Sequence, residues 1–212
     1  MTLISAAALA DTLAANPGWV AFALFLLVFV EALIVVGYLV PAATVLFAVG
    51  ALAGSGVVSF PLALAGTAAG ATLGGSFNYW VGSRLQHRLD ALWPFRQHPA
   101  LLQRNRDFVR RHGGKSVFLA RFSKPFRPTV SAVAGALGMD RRRFALFNLW
   151  GAILWSSAYL GVGFGLSHSV DFSPAQAMIL SLILLAVTAC GMLLLAVLRH
   201  RRLHPDDPER PD

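Results

Sequence analysis

Formal charge is almost absent from two long parts of this chain. Glu31 is the only charged residue between positions 12 and 83, and Asp171 is the only one between 144 and 198. The segment 84–143 lies between these parts and holds 14 of the 18 Lys and Arg residues but only three acids. Two apolar blocks around a basic middle, with 56% hydrophobic and 13% charged residues overall, predict an integral membrane protein.

Four segments are long and apolar enough to cross a bilayer. A span needs about 20 residues, because a helix rises about 1.5 Å per residue and the hydrocarbon core is roughly 30 Å thick. The four segments are Trp19 to about Val36, Pro61 to Gly82, Phe144 to Leu166 and Pro174 to Leu198. We therefore predict an all-α polytopic membrane protein with about four transmembrane helices.

Two further apolar stretches, 37–58 and 116–139, are interrupted by helix-breaking residues. The first contains Pro41, and the second contains Pro125 and Pro128 together with three basic residues. Basic clusters flank the second stretch on both sides, so the positive-inside rule places both of its ends in the cytoplasm. A broken segment that enters and leaves on one side is a re-entrant hairpin, which must be enclosed by protein or by a water-filled cavity.

An internal repeat connects the two broken stretches. Pro41 is followed seven residues later by the small-residue run 48–54, and Pro125 is followed seven residues later by the similar run 132–138. A predicted spanning helix comes after each run. We predict two opposed re-entrant helical hairpins related as inverted repeats, an arrangement that in transporters encloses the substrate site near the midplane.

The charge distribution also predicts how the chain is organised. Residues 1–18 are predicted to be an N-terminal interfacial segment, 19–198 a single membrane domain and 199–212 a cytoplasmic tail. Within the domain, the basic segment 84–115 is predicted to be cytoplasmic. The first 83 residues contain no Lys or Arg, so the orientation of the N-terminus is left open, as is the oligomeric state.

Glu31 is a carboxylate in an apolar helix. It lies 12 residues after Trp19, which is about 18 Å along a helix that starts at the membrane interface. A carboxylate at that depth costs about 2.5 to 3.5 kcal/mol unless it is protonated or paired. We predict that Glu31 is a proton site or an ion-pair partner; the alternative is a neutral packing residue held by hydrogen bonds.

Three basic residues, Arg121, Lys124 and Arg127, surround the break at Pro125. A broken helix exposes unpaired backbone groups, and arginine recognises phosphate or carboxylate with two parallel hydrogen bonds. These residues are predicted to bind an anion. The alternative is that they extend to the cytoplasmic interface, which Lys124 is well suited to do.

Small residues recur every four positions along the second predicted span. They are Gly66, Gly70 and Gly74, followed by Asn78 at the next position of the same ridge. Such a ridge lets another helix approach closely, and Asn78 would supply its polar contact. We predict that this face packs against a neighbouring helix.

The sequence lacks the usual signals of several chemical functions. It contains no complete P-loop, no His-Glu-x-x-His and no Gly-x-Ser-x-Gly, and its six histidines and single cysteine lack metal-ligand spacing. We predict no metal, no cofactor and no catalysis. The positive-inside rule and anionic lipid headgroups account for the basic segment, so nucleic acid is not predicted as a partner.

Three sets of residues together resemble a known family. They are Glu31 with Gly37 and Pro41; the ridge extended to Tyr79, Gly82 and Arg84; and the stretch from Phe118 through Arg121, Pro125 and Arg127 to Gly135, Met139, Phe144, Asn148, Gly151 and Trp155. Over about residues 19 to 167, this pattern resembles the DedA family, also called the VTT or SNARE-associated domain.

The resemblance implies a fold, a location and an activity. Family members are helical inner-membrane proteins with two opposed re-entrant hairpins, and they are associated with moving lipids such as undecaprenyl phosphate or phosphatidylethanolamine, often with the proton motive force. Glu31 corresponds to the family's membrane carboxylate, and Arg121 and Arg127 to its paired arginines. The family commonly has a second carboxylate where this chain has Ala43, and another acid where it has Gly75.

Together these observations predict a lipid translocase of the bacterial inner membrane, either flippase-like or scramblase-like. Its ligand would be a phosphate-bearing, anionic membrane lipid, and its C-terminus would be cytoplasmic. Two alternatives stay open on the sequence alone. One is a structural membrane protein in which the arginines and Glu31 form buried pairs, and the other is a transporter of small anions.

Overall fold

The computed structural model describes residues 15–33, 42–91, 95–97, 99–123 and 126–169. Within these ranges the regular structure is entirely helical, which confirms the predicted fold class at that level. There are seven α-helices and one 3-10 helix, Gln86–Ala91, and no strand in the described residues. The α-helices are α1 Pro17–Ala32, α2 Ala42–Gly54, α3 Phe60–Leu85, α4 Pro99–His112, α5 Gly114–Ala120, α6 Arg127–Ala136 and α7 Arg141–Ser169.

Several predicted features lie outside the described residues. They are the N-terminal segment up to residue 14, the hairpin break at Pro41, the basic Lys124 with the adjoining Pro125, the fourth span at 174–198 and the tail at 199–212.

Proline and glycine set several of the helix ends. Pro17 and Pro128 each lie in the first turn of a helix, where the missing N–H of proline leaves no hydrogen bond unmade. Gly113 separates α4 from α5 at a φ of +53°, and Gly138 follows α6 at a φ of +71°. Both values belong to the left-handed region that glycine adopts without strain.

Length and hydropathy single out one described helix as able to cross a membrane, Arg141–Ser167, with a mean hydropathy of 1.3. The helices Pro17–Ala32 and Thr44–Gly54 are apolar but shorter than a span. The second predicted span is contained in α3, whose 26 residues run from Phe60 to Leu85. The count of four spans stays a prediction.

The two long helices, α3 and α7, lie antiparallel along their whole contact. Phe60 at the start of α3 meets Phe164 near the end of α7, with ring centroids 5.2 Å apart. Near the other end of α3, the Tyr79 ring stacks on Phe144 with centroids 4.2 Å apart. Other helices pack around this central pair.

The predicted glycine ridge of α3 faces α1. A Cβ atom at Gly66 would overlap the backbone of Ala21, and a Cβ atom at Gly70 would overlap that of Phe25. At Gly74 it would lie 2.5 Å from Cβ of Ala32. The contact positions therefore advance in the same direction along both helices. Helix α1 runs parallel to α3, at a separation that only glycine permits.

Helix α2 packs on α7 by the same close approach. A Cβ atom at Gly50 would overlap the carbonyl oxygen of Leu160, and a Cβ atom at Gly163 would overlap that of Phe47. One turn further along, a Cβ atom at Gly54 would lie 2.7 Å from the carbonyl oxygen of Phe164. The first hairpin helix thus lies parallel to the long helix of the second half.

Helix α6 repeats this contact on α3. A Cβ atom at Gly135 would overlap the carbonyl oxygen of Tyr79, and a Cβ atom at Gly82 would overlap that of Ala132. In both helix pairs, the Cβ position of each glycine lies against a carbonyl oxygen of the other helix. That oxygen belongs to the residue three positions before the other glycine. Each half therefore packs its short helix on the long helix of the other half, and both pairs use the same contact.

The helix directions define two helical hairpins. Helix α1 runs parallel to α3, and α2 runs parallel to α7. Because α3 and α7 are antiparallel, α1 and α2 run in opposite directions. Helix α5 runs parallel to α7, because Gly114 lies against Phe147 while Gly151 lies against Phe118. Helix α6 runs parallel to α3. The two hairpins enter from opposite ends of the central pair and meet near its middle.

The first hairpin has α1 and α2 as its arms, and residues 34–41 between them lie outside the described residues. Helix α1 ends at Ala32, opposite the middle of α3. The second hairpin has α5 and α6 as its arms, between residues 114 and 136. The bounds 37–58 and 116–139 for the re-entrant segments, and a separate span from Trp19 to about Val36, stay predictions.

The basic helix α4 covers the end of the second hairpin. Its buried residues Leu102 and Val109 belong to the same core cluster as Val130 and Val133 of α6. Asn105 adds a buried hydrogen bond from its Nδ2 to Oγ1 of Thr129, at 3.1 Å. This packing fixes the position of α6, whose first residue is Arg127.

Candidate functional site

Two arginines and one glutamate come together where the hairpins meet. Glu31 lies in the last turn of α1, Arg121 directly follows α5, and Arg127 is the first residue of α6. Glu31 is 6% exposed and Arg121 is 7% exposed. The structure therefore brings together three of the charged residues that the sequence singled out, although up to 96 positions separate them in the chain.

Arg127 and Glu31 form a two-point ion pair. Nη2 of Arg127 lies 3.0 Å from Oε2 of Glu31, and Nη1 donates a hydrogen bond of 3.2 Å to Oε1. The guanidinium also lies over the ring of Trp155, with Cζ 3.9 Å from the ring centroid. Arg127 is thus held between a carboxylate on one helix and an aromatic face on another.

Arg121 is held by neutral groups instead. Its Nη2 donates to the backbone oxygen of Ala71 at 3.1 Å and to Oδ1 of Asn148 at 2.5 Å. Its Nε has no hydrogen-bond partner among the described residues, nor does Arg121 pair with any described carboxylate. A buried guanidinium without a carboxylate partner is costly, because neutral groups replace only part of its lost hydration.

Asn148 orients Arg121 from the opposite long helix. Its Nδ2 donates to the backbone oxygen of Thr72 at 2.9 Å and to Oγ of Ser76 at 3.2 Å, which leaves Oδ1 to face the arginine. A Cβ atom at Gly75 would lie 2.5 Å from that Oδ1. The sequence analysis noted Asn148 only as part of a motif; a polar side chain inside an apolar span was the signal of its role.

Asn78 positions Glu31. Its Nδ2 donates a hydrogen bond of 2.6 Å to the backbone oxygen of Ala32, an acceptor at the C-terminal end of α1. The last turn of a helix has carbonyl groups without partners inside the helix, and this contact satisfies one of them. Asn78 therefore holds the end of α1, and with it the carboxylate, against α3.

The space beside the two arginines is small. The cavity measures about 10 Å³ and is lined by residues that include Gly75, Asn78, Arg121, Arg127 and Ser131. That is close to the room one water molecule needs. The Arg127–Glu31 pair and the residues around it therefore fill almost all of the space beside Arg121.

The remaining site predictions concern backbone and metal. Pro128 lies in the first turn of α6, where it begins the helix after the break. Among the residues that the structure describes, no group of three His, Cys, Asp or Glu side chains has a geometry that could hold a metal ion.

Apolar helices arranged as two opposed hairpins around a buried cluster of charges define a helical membrane protein with an internal charged centre. Comparison with known families agrees: the family model of the VTT domain matches residues 40–165. The chain belongs to the VTT-domain, or DedA, family, as the sequence pattern predicted.

Curated relatives from Escherichia coli (strain K12) support this assignment. Protein DedA is 30% identical over 203 residues, which cover 92% of this chain and 89% of the relative. Inner membrane protein YabI is 31% identical over 150 residues, 70% of this chain but only 59% of YabI. Inner membrane protein YqjA is 27% identical over 180 residues, or 81% of this chain and 80% of YqjA.

Two of these relatives, YabI and YqjA, are named as inner membrane proteins. This supports an inner-membrane location for the chain. No solved structure matches it.

Proposed function

We propose that this protein is a lipid translocase of the bacterial inner membrane that binds the phosphate of its lipid at Arg121 and Arg127. The observation that carries the proposal is the buried guanidinium of Arg121, which has no carboxylate partner among the described residues and lies beside the Arg127–Glu31 pair. Two arginine forks at one point suit the several oxygens of a phosphate.

The membrane placement is part of the proposal. Arg84 near the end of α3 and Arg141 at the start of α7 lie at the same end of the central pair, which the positive-inside rule assigns to the cytoplasm. The α5–α6 hairpin then enters from the cytoplasmic side, and the α1–α2 hairpin enters from the outer side. A fourth span at 174–198 returns the C-terminal tail to the cytoplasm.

Cysteine accessibility tests this placement, in a background where Cys190 is replaced by Ser. Cysteines at Lys115 and Asp140, at the start of α5 and just before α7, are expected to react with an impermeant thiol reagent from the cytoplasmic side. A cysteine at Ser55, after α2, is expected to react from the outer side. Labelling of the first two positions from opposite faces contradicts the re-entrant hairpin.

The pair between Arg127 and Glu31 acts as the gate in this proposal. Because the closed cavity has room for about one water molecule, a lipid phosphate binds only when the hairpins move apart and Arg127 leaves Glu31. The phosphate then takes the position of the carboxylate on Arg127 and also contacts Arg121. Movement of the two halves exposes the bound headgroup to one side at a time.

Proton coupling at Glu31 follows from the same exchange. Once Arg127 binds phosphate, the Glu31 carboxylate is left in apolar surroundings without its cation, and uptake of a proton removes that cost. A proton would therefore bind to Glu31 as the lipid binds to the arginines. Re-formation of the ion pair would release both.

Reconstitution into liposomes tests the proposal against its two alternatives. The purified protein is expected to move a labelled phosphate-bearing lipid between leaflets, and the Arg121→Ala variant is expected to lose this activity. Arg104→Ala is the matched control, because Arg104 is an exposed arginine on α4. A structural protein would move no lipid, and a small-anion transporter would take up inorganic phosphate without moving lipid. Either result overturns the proposal.

A further inference from the structure

Arginines gather a second time at the basic end of the two long helices. Arg84 lies in the last turn of α3, and Arg141 and Arg142 are the first two residues of α7. All three side chains are exposed. Within the described ranges, none of the three makes an ion pair with a carboxylate.

These three arginines line one open cavity of about 700 Å³. Tyr79 also lines it, and so does Asp140, the one acid among its lining residues. The Asp140 carboxylate is engaged locally, since its Oδ2 accepts a hydrogen bond of 3.0 Å from the backbone N–H of Arg143. The cavity thus carries an excess of two positive charges, and its size suits a lipid headgroup better than a single ion.

An aromatic side chain marks the depth of this cavity in the membrane. Trp80 is 53% exposed, and Cζ of Arg84 lies 5.7 Å from the centroid of its ring. Exposed tryptophans at the ends of apolar helices are typical of the headgroup level, where one part of the ring is in lipid and the other meets water. The cavity therefore opens where phosphates of the bilayer lie.

A groove extends from this cavity toward the buried site. A second cavity of about 370 Å³ shares Arg84 and Arg141 and reaches Ser76 on α3. Oγ of Ser76 accepts a hydrogen bond from Asn148, the same residue that accepts one from Arg121. The groove between α3 and α7 thus adjoins the network that holds the buried arginine.

We propose that Arg84, Arg141 and Arg142 form a docking site for the phosphate of an anionic lipid in the cytoplasmic leaflet, with the lipid chains lying against the exposed groove between α3 and α7. This inference rests on the proposed membrane placement of the basic end. It does not depend on translocation, because it concerns equilibrium binding at residues other than Arg121 and Arg127.

Lipid binding to the purified full-length protein in phosphatidylcholine nanodiscs tests the site. Phosphatidylglycerol is titrated, and the bound lipid is counted by native mass spectrometry. One arginine near an anionic headgroup contributes about fivefold in affinity, so the triple variant Arg84→Gln, Arg141→Gln, Arg142→Gln is expected to bind about a hundredfold more weakly. The single variant Arg84→Gln is expected to lose about fivefold and serves if the triple variant fails to fold.

The matched control removes three arginines elsewhere on the same face of the membrane. Arg104, Arg110 and Arg111 are exposed on α4, and their replacement by Gln changes the net charge by the same amount. This control is expected to keep its affinity within about threefold, since it lowers only the general surface potential. An equal loss in the control overturns the docking site.

Two further measurements separate the source of the phosphate and the two proposals. Inorganic phosphate alone is expected to bind far more weakly than phosphatidylglycerol; equal binding would make this a free-anion site and overturn the lipid assignment. The Arg121→Ala variant is expected to keep phosphatidylglycerol at the docking site even if it no longer moves lipid. Loss of docking in that variant would place the bound lipid in the buried site and contradict this inference.

Discussion

The ion pair between Glu31 and Arg127 gives the sharpest test of how the buried site is held together. In Glu31→Gln the side chain keeps its shape and its ability to hydrogen-bond, but Arg127 loses its counterion at a position where the carboxylate is 6% exposed. Removing one partner of a buried pair typically costs about 3 to 5 kcal/mol, because the remaining charge is left unpaired.

The structure places the expected cost near the lower end of that range. Arg127 keeps its contact with the Trp155 ring, and a desolvated cation over an aromatic ring is worth about 2 kcal/mol. Against this, the site already contains Arg121, so removal of the carboxylate leaves two buried cations together. We expect a loss of about 3 kcal/mol, which corresponds to an apparent Tm lower by roughly 6 to 12 °C for a chain of this size.

Thermal unfolding in detergent, followed by circular dichroism, measures this loss. Asp90→Asn is the matched control, since Asp90 is an exposed carboxylate on the 3-10 helix and its replacement is expected to leave Tm within about 1 °C. The double variant Glu31→Gln, Arg127→Gln also removes the cation that the first change leaves unpaired, so most of the lost stability is expected to return.

The same variant separates the two roles of Glu31. If Glu31 binds the transported proton, Glu31→Gln removes the dependence of lipid translocation on a pH gradient, whatever its effect on Tm. An unchanged Tm together with unchanged gradient dependence would refute both the ion-pair role and the proton role.

Two further predictions concern the arginines and the helix contacts. Arg121→Ala and Arg127→Ala are each expected to abolish lipid translocation in liposomes while the protein still reaches the membrane. The lysine variants are expected to restore translocation only in part, because an ammonium group lacks the two-point contact. Full activity of both alanine variants would contradict the phosphate site. Gly82→Ala is expected to lower stability by about 1 to 3 kcal/mol, since its Cβ would overlap the backbone of Ala132, whereas Gly161→Ala, with open space around its Cβ, is expected to be neutral or stabilising in the same thermal assay.

The residue types of the site could be read from the sequence because the membrane makes them conspicuous. Glu31 stands alone in an apolar block, and Arg121 and Arg127 interrupt another, so their cost in lipid pointed to a role before any contact was known. Which arginine pairs with Glu31 could not be read in this way. That depends on how two hairpins from separate halves of the chain pack, and helix packing is not encoded in local composition.

The limits of the first hairpin stay a prediction for a related reason. Hydropathy reports that α1 is apolar, but an arm of a buried hairpin and a spanning helix are apolar alike. The signal that separates them is length, and α1 stops after 16 residues, at Ala32.

Asn148 was underestimated because its partners, Thr72 and Ser76, lie more than 70 positions away on the antiparallel helix.

The repeat explains why such a site forms at the centre of the molecule. Gly82 of α3 and Gly163 of α7 make the same contacts with the opposite short helices, so positions 81 residues apart correspond in the two halves. This correspondence pairs Ala71 with Ala152, both fully buried, which places the centre of the antiparallel pair there. Hairpins that enter from opposite ends by the same contact reach the same depth, which brings Glu31 to Arg127 and Arg121 to Ala71.

The charges at this centre come from a difference between the halves. The same correspondence pairs Thr67 with Asn148, but the hydroxyl of Thr67 donates to the backbone of its own helix at Ala63, 2.8 Å away, whereas Asn148 reaches across to Arg121. One hairpin brings a single carboxylate and the other brings two guanidinium groups. A symmetric pair would have placed like charges together at the centre, whereas this asymmetric one brings Glu31 to Arg127 and leaves Arg121 held by neutral groups.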